Sequence, residues 1–195
     1  WDLNSDYWID FNMESVDFDH PIWVLFSSGT TGKPKAITHR TGGILIEQYK
    51  SLSLHQNICD GDRFFWNTTT GWMMWNYALG SLLCGAKLCL YDGAANYPDI
   101  GVQWRFAKEA QINHFGNGSP LFIATMKQNI KDVNQIELSK LKTIGATGSP
   151  LSEDAFIWIQ DKLPKTQIIS LSGGTDVCSA FIGGCKMLPV YSGYL

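Results

Sequence analysis

Short apolar segments, most of them followed by a polar motif, alternate with helical patterns along this chain of 195 residues. Strands are predicted at 22–26, 63–66, 86–91, 112–115, 141–146 and 167–171. The helices between them would connect strands that run in the same direction, since parallel strands need such crossovers. The alternation therefore predicts an α/β fold, with a largely parallel sheet and flanking helices. Ligands bind at the carboxyl ends of the strands in such a sheet, so the polar motifs are expected to meet there.

Periodicity and capping predict five helices. The residues expected to face the core are Leu45, Tyr49 and Leu52 in the first helix, and Val102, Phe106 and Ala110 in the third. Gln48 is expected on a different face of the first helix from these core residues. The second and fourth helices are predicted at 72–83 and 120–129. The fifth begins after Ser152, a predicted N-cap, with acidic residues in its first turn and Lys162 in its last.

Residues 27–35 are rich in hydroxyls, glycines and cations, and they directly follow the first predicted strand. Gly29 and Gly32 allow backbone N–H groups to approach a ligand, and Lys35 adds a charge that suits phosphate. The segment therefore predicts a polyphosphate-binding loop. It is not a Walker-type loop, because its two glycines are too close together and Lys33 precedes proline. Taken alone, the segment could equally be a solvent-exposed turn.

Charge and cysteine usage narrow the class of protein. The net charge of −3 argues against a nucleic-acid-binding surface and favours small-molecule partners. The five cysteines are odd in number and show no zinc-binding spacing, which predicts reduced, mostly buried thiols in a cytoplasmic protein. Neither a long apolar segment nor a signal peptide is visible, so membrane insertion and secretion are not expected.

Several motifs together resemble one enzyme family. Residues 27–35 resemble the phosphate-binding loop of the adenylate-forming enzymes, which include acyl-CoA synthetases, luciferases and peptide-synthetase adenylation domains. Later segments resemble the acetoacetyl-CoA synthetase branch in family order, namely 66–77, 90–93, 147–151, 172–176 and 189–191. The resemblance implies a lead-in segment at 1–20 and a fragment of the AMP-binding (adenylation) domain at 21–195. It also implies that the family's C-terminal lid domain is absent from this chain.

The activity that this resemblance implies is the ATP-dependent ligation of acetoacetate to CoA, by way of acetoacetyl-adenylate and with Mg²⁺. The chain would carry the nucleotide- and acid-binding core. It would be inactive alone, because it would lack the family's C-terminal lysine, which contacts the reacting carboxylate. Two other hypotheses stay open: a short-chain acyl-CoA synthetase with a different acid preference, and a non-catalytic nucleotide-binding or acyl-binding remnant.

The resemblance also implies roles for nucleotide-binding residues. Lys35 and Thr175 would be catalytic, and Asp176, where many relatives have glutamate, would help to hold Mg²⁺. The implied nucleotide-binding set is Ser28, Gly29, Thr30, Thr31, Gly32, Lys35, Gly148, Ser149, Pro150, Gly174, Thr175 and Asp176. Taken alone, Asp176 could simply cap a turn, and 148–150 could be the N-terminal turn of a helix.

Trp75, Asn76 and Gly173 are the predicted acid-binding residues. Acetate-using relatives carry tryptophan at the position of Gly173, so glycine is predicted to open the pocket for a larger acid. Alternatively, Gly173 and Gly174 serve a tight turn that needs positive φ, and 72–77 is an ordinary core helix. His39 follows the loop closely enough to approach phosphate, whereas His114 is expected to be structural or exposed.

Overall fold

The computed structural model describes residues 12–27, 32–128 and 137–195. A two-stranded antiparallel sheet pairs β1 (Pro21–Ser27) with β2 (Lys35–Arg40). The main sheet contains β3 (Arg63–Trp66), β4 (Lys87–Leu88), β5 (His114–Gly118), β6 (Thr143–Thr147), β7 (Gln167–Gly174) and β8 (Ser179–Gly183). Its strand order is β4-β3-β5-β6-β7-β8, and every neighbouring pair is parallel except β7–β8. The predicted α/β fold is confirmed.

Five α-helices flank the sheet in the described part of the chain. They are α1 (Thr41–Tyr49), α2 (Met74–Gly80), α3 (Val102–Glu109), α4 (Ser119–Lys127) and α5 (Glu153–Lys162). A π-helix (Lys50–His55) continues α1, and a 3₁₀-helix (Ser81–Cys84) continues α2. The predicted cap of α5 is confirmed, because the Ser152 hydroxyl accepts a hydrogen bond from Ala155 N at 3.3 Å. None of these helices is both long and apolar enough to cross a membrane.

Successive strand side chains point to opposite faces of the main sheet and build two cores. On one face, Phe65 and Phe115 pack against α3, α4 and α5. Trp104 of α3 is fully buried there, with its ring centroid 4.8 Å from that of Phe115. On the other face, Phe64 and Trp66 pack against α1 and α2. Helices therefore cover both faces of the sheet, and in such sheets ligands bind at the carboxyl ends of the strands.

Trp66 fills space that two neighbouring strands leave open. A Cβ atom added to Gly116 of β5 would overlap the Trp66 ring, and one added to Gly145 of β6 would lie 2.5 Å from it. The two glycines therefore let one indole lie across three adjacent strands, where it stays 4% exposed.

A buried polar cluster lies at the amino ends of the strands, opposite the expected site. The His114 ring bonds to Asp62 Oδ2 at 2.9 Å and to Thr143 Oγ1 at 2.8 Å, and Lys142 Nζ donates to Asp62 Oδ1 at 2.6 Å. Burial lowers the pKa of His114 below its ordinary value. Burial opposes ionisation of Asp62, but hydrogen bonds from Lys142 and His114 outweigh it and lower the pKa. His114 is thus structural, as predicted.

Several sequence-based boundaries need correction. β2 and β8 were not predicted. The strand expected at 86–91 is only Lys87–Leu88, and Leu90 is 60% exposed because the chain leaves the sheet before it. The helix expected at 72–83 begins at Met74, and a 3₁₀ segment forms its end.

The buried face of α1 also differs from the prediction. Ile44 and Gln48 are buried, whereas Leu45 and Tyr49 are exposed; of the predicted face, Leu52 is buried as expected, in the π-helix that continues α1. Gln48 is drawn inward because its amide finds a partner there, the Cys178 carbonyl oxygen at 3.5 Å.

The cysteines are all free, as expected, but most are not buried. Only Cys178 is buried; Cys59 is exposed and the other three are half-buried. Burial raises the pKa of the Cys178 thiol to about 11, so this thiol stays protonated near neutral pH.

Candidate functional site

The carboxyl ends of β6 and β7 and the segment that leads into α2 enclose a cavity of about 340 Å³, here called the rim cavity. Its lining residues are 72–74, 147–151, 170–175 and 193–195. Three of the motifs expected at the rim therefore do meet there: the segment after β3, the segment after β6, and the end of β7. This is the position at which parallel α/β sheets bind their ligands.

The segment after β6 is held in place by the backbone conformation of Gly148 and by two hydrogen bonds from side-chain hydroxyls. Gly148 has φ of 84°, a conformation that other residues seldom adopt, and it faces the Trp72 ring. The Ser119 hydroxyl donates to the Ser149 carbonyl oxygen at 2.6 Å, and the Thr147 hydroxyl donates to the Leu171 carbonyl oxygen at 2.8 Å. These bonds fix the chain that leads to Pro150. The sequence assigned no specific role to Ser119, since nothing in its local pattern separates it from an ordinary helix start.

Of the predicted nucleotide-binding residues, Gly148, Ser149, Pro150, Gly174 and Thr175 line the rim cavity. Ser28, Gly29, Thr30 and Thr31 lie outside the described residues. Gly32 and Lys35 are exposed, and neither lines the rim cavity. The predicted phosphate contacts of the loop, including those of Lys35, therefore stay predictions.

The loop does not join a strand to a helix at the rim of the main sheet. It connects β1 to β2, and Lys35 pairs with Ser27 in that separate sheet. The hairpin nevertheless reaches the rim through His39, whose Nε2 lies 2.8 Å from the Thr175 carbonyl oxygen. His39 was predicted to approach phosphate; the structure places it against the backbone of another predicted site residue.

Asp176 lines a neighbouring cavity of about 350 Å³, here called the charged cavity, rather than the rim cavity. His39, Arg40, Glu47 and Lys50 line it too. Lys50 Nζ lies 2.8 Å from both Glu47 carboxylate oxygens. Burial opposes ionisation of Glu47, but the bonds from Lys50 and from serine hydroxyls lower its pKa overall. Glu47 is thus already paired, whereas Asp176 has no ion-pair partner among the described residues.

The metal-binding capacity of this region is modest. Among the described residues, no three histidine, cysteine or acidic side chains are grouped so that they could hold a metal. Mg²⁺, however, is often bound by one or two carboxylates together with substrate phosphates and water. The Asp176 carboxylate, which is exposed, next to Thr175 and without an ion-pair partner in the described part of the chain, fits that pattern, provided that a phosphate ligand supplies further oxygens.

The predicted acid-binding residues do not come together. Gly173 lines the rim cavity beside Met73 and Met74. Trp75 lines a different cavity of about 980 Å³, here called the second cavity. Asn76 is 8% exposed and lines neither of these two cavities.

The environment of Gly173 changes the interpretation of this position. A Cβ atom there would overlap the Ser179 carbonyl oxygen and lie 2.7 Å from Ala180 Cα, both in the backbone of β8. A side chain would therefore meet a strand, so the predicted enlargement of the pocket by loss of tryptophan is not supported. The alternative, a turn with positive φ, is not found either, because Gly173 and Gly174 are not among the described glycines at positive φ. Close packing between β7 and β8 explains the glycine.

Asn67 and Asn117 line the second cavity and bond to the buried Gln103, and the sequence assigned no role to any of these three amides. Gln103 donates to Asn67 Oδ1 at 2.8 Å and accepts from Asn117 Nδ2 at 2.7 Å, and Asn67 donates to Asn117 Oδ1 at 3.3 Å. This ring of amides joins the ends of β3 and β5 to α3. Trp72 lines both this cavity and the rim cavity, so the two are neighbours.

The fold and the rim cavity together define an α/β domain with a cavity at the carboxyl ends of its parallel strands, where such sheets bind ligands. Residues 3–192 match the family described as AMP-binding enzymes, and the chain belongs to this family. Among curated proteins it is similar to acetoacetyl-coenzyme A synthetase of Rhizobium meliloti, at 41% identity over 92% of this chain, and to acetoacetyl-CoA synthetase of Gallus gallus, at 38% over 92%.

A solved structure shows the same similarity. Acetoacetyl-CoA synthetase from Streptomyces lividans superposes with a TM-score of 0.88 at 46% identity, over 92% of this chain. The predicted resemblance to this branch is therefore confirmed. The chain spans 28% of the Rhizobium meliloti protein, 27% of the Gallus gallus protein and 28% of the Streptomyces lividans chain.

Proposed function

We propose that the full-length protein ligates acetoacetate to CoA, using ATP to form acetoacetyl-adenylate and pyrophosphate before CoA displaces AMP. The observation that carries this proposal is the meeting of Gly148–Pro150, Gly174 and Thr175 around one cavity at the carboxyl ends of β6 and β7. The similarity to proteins named acetoacetyl-CoA synthetase, at 38–46% identity, supports the choice of acid.

The first half-reaction brings together two anions, the carboxylate of the acid and the α-phosphate of ATP. Catalysis therefore depends on holding them in line and on stabilising charge on the phosphoryl oxygens. The backbone of 148–150 would lie beside the adenine, since it is fixed by hydrogen bonds and lines the cavity. Thr175 would donate its hydroxyl to an α-phosphate oxygen, and Lys35 with residues 28–32 would bind the β- and γ-phosphates.

Mg²⁺, when bound, would neutralise part of the negative charge on the phosphates. Asp176 is the carboxylate that we propose to hold it, because it is exposed, unpaired among the described residues, and adjacent to Thr175. The Glu47 carboxylate is a poorer candidate, since Lys50 already neutralises it.

The acid would lie where Gly173, Met73 and Met74 meet in the rim cavity. Contact with Trp75 would require the acid to extend past Trp72 into the second cavity. Acid contacts of Trp75 and Asn76 stay predictions.

We also propose that residues 21–195 form the nucleotide-binding part of an adenylation domain, after a lead-in segment at 1–20, and that the full-length protein supplies the lid. A cytoplasmic location is proposed as well. The five free cysteines support it, because disulfides are rare in reducing compartments.

Acid-dependent exchange of pyrophosphate into ATP tests the proposal on the full-length protein, with acetoacetate, acetate and butyrate compared. We expect the highest kcat/KM with acetoacetate, and thioester formation when CoA is added. Preference for another acid would identify an acyl-CoA synthetase of different specificity. Exchange with none of the acids would reject ligation and favour a binding remnant.

A further inference from the structure

The turn between β7 and β8, residues 175–178, is held by side chains from outside the main sheet. His39 of β2 contacts the Thr175 carbonyl oxygen at 2.8 Å, and Gln48 of α1 donates to the Cys178 carbonyl oxygen at 3.5 Å. Inside the turn, Cys178 N donates to the same Thr175 oxygen at 3.3 Å, and Cys178 has φ of 50°. One carbonyl thus accepts both the bond that closes the turn and a bond from a distant strand.

The chemistry of the contact fixes the proton on His39. A backbone carbonyl only accepts, so Nε2 of the imidazole must be the protonated nitrogen. His39 is 8% exposed, and a hydrogen bond shielded from water in this way holds its geometry better than an exposed one.

The position of this bond relates it to the proposed site. Thr175 lines the rim cavity, whereas Asp176 and His39 line the charged cavity. Among the described strands, β1 and β2 share no backbone ladder with the main sheet. The bond from His39 is therefore a direct polar link between the hairpin whose connection contains residues 28–34 and the turn that contains Thr175 and Asp176.

We propose that His39 is a positioning residue for the nucleotide. By donating to the Thr175 carbonyl, it sets the backbone of the turn relative to the hairpin, so that the Thr175 hydroxyl and the Asp176 carboxylate meet the phosphates and Mg²⁺ in one arrangement. This inference rests on the proposed function, because the ligand that benefits is Mg²⁺-bound ATP. Groups that orient a ligand-binding residue from behind commonly change activity or metal affinity by about 10–100-fold when they are lost.

Two substitutions in the full-length protein separate the hydrogen bond from the bulk of the ring. His39→Gln places an amide N–H near the position of Nε2, whereas the shorter His39→Asn cannot reach the carbonyl. His20→Asn is the control, because His20 is exposed and its side chain makes no hydrogen bond to a described residue. We expect His39→Asn to lower kcat/KM for Mg²⁺-bound ATP in pyrophosphate exchange by about 10–100-fold, to raise the Mg²⁺ requirement, and to leave KM for the acid nearly constant.

His39→Gln should restore most of the loss, and His20→Asn should match the wild type. If His39→Gln is as impaired as His39→Asn, or if the KM for the acid rises as much as that for ATP, the positioning role is overturned.

Amide hydrogen exchange without any ligand gives a second readout that does not depend on activity. In His39→Asn, the amides of the 175–178 turn should exchange faster while those of β5 and β6 keep their protection; His39→Gln should resemble the wild type. If the amides of the 175–178 turn exchange at the same rate in His39→Asn as in the wild type, the inference is overturned. If none of the three acids supports pyrophosphate exchange in the wild type, the proposed function fails. In that case the amide hydrogen exchange of the variants, together with direct titration of Mg²⁺-bound ATP, tests the role of His39 separately.

Discussion

Replacing Gly173 by alanine should destabilise the protein, because the new methyl group points at the backbone of β8. Its Cβ would overlap the Ser179 carbonyl oxygen and lie 2.7 Å from Ala180 Cα. Neither atom belongs to a flexible side chain, so β8 itself must shift away from β7. Overpacking of this kind costs about 1–3 kcal/mol, and lengthened hydrogen bonds between the two strands would add to that cost.

Gly174→Ala is the matched control. A Cβ atom there would lie 3.9 Å from the Phe181 ring and 4.0 Å from the Asp176 carboxylate, both ordinary contact distances. Urea unfolding of the full-length variants, followed by tryptophan fluorescence, should show a lower midpoint with an unchanged slope for Gly173→Ala only. Equal stability of the two variants would refute the packing argument. If the Gly173→Trp protein folds normally and loses activity with acetoacetate but not with acetate, the pocket-opening hypothesis is supported again.

Three further predictions concern charge. Lys35→Ala should lower pyrophosphate exchange by about 10²–10³-fold if Lys35 stabilises the leaving pyrophosphate, and unchanged kinetics would make it a surface residue. Asp176→Asn should shift the Mg²⁺ titration of exchange to higher concentration, since a charged oxygen ligand is lost; an identical titration would leave only a turn-capping role. The free energy of unfolding should decrease as the pH falls from about 7 to 5, because the lowered pKa of His114 means that the unfolded chain binds more protons than the folded one. His114→Gln should flatten that part of the profile, whereas an unaltered profile would exclude His114 as its source.

The order of secondary structure could be predicted better than the identity of buried residues. Parallel strands such as β3 and β7 lie in short, mainly apolar segments bounded by turns, and the local pattern is sufficient to find them. β2 and β8 were missed because each is short and pairs with the preceding strand in an irregular register, which a local sequence pattern does not show. Gln48 and Gln103 are buried because partners exist for their amides in the folded chain, and a local pattern cannot show those partners.

For the candidate site, the sequence predicted which motifs would meet but not how their individual side chains are arranged. The spacing of polar segments after strands correctly indicated that 147–151 and 172–175 would meet. It could not indicate that Gly173 packs against β8, that Trp75 turns to a different cavity, or that His39 crosses to Thr175. Each of these depends on the direction of one side chain in three dimensions, which follows from tertiary packing and not from a motif.

The indole of Trp66 occupies the volume that Gly116 and Gly145 leave free, and this ties three positions to one another during evolution. A smaller residue at 66 alone opens a void, and a larger one at either glycine alone collides with the ring. Any route to another packing passes through an intermediate with one of those defects. We therefore expect the three residues to be exchanged only as a set, so that grafting the rim onto another member of the family would require transferring all of them together.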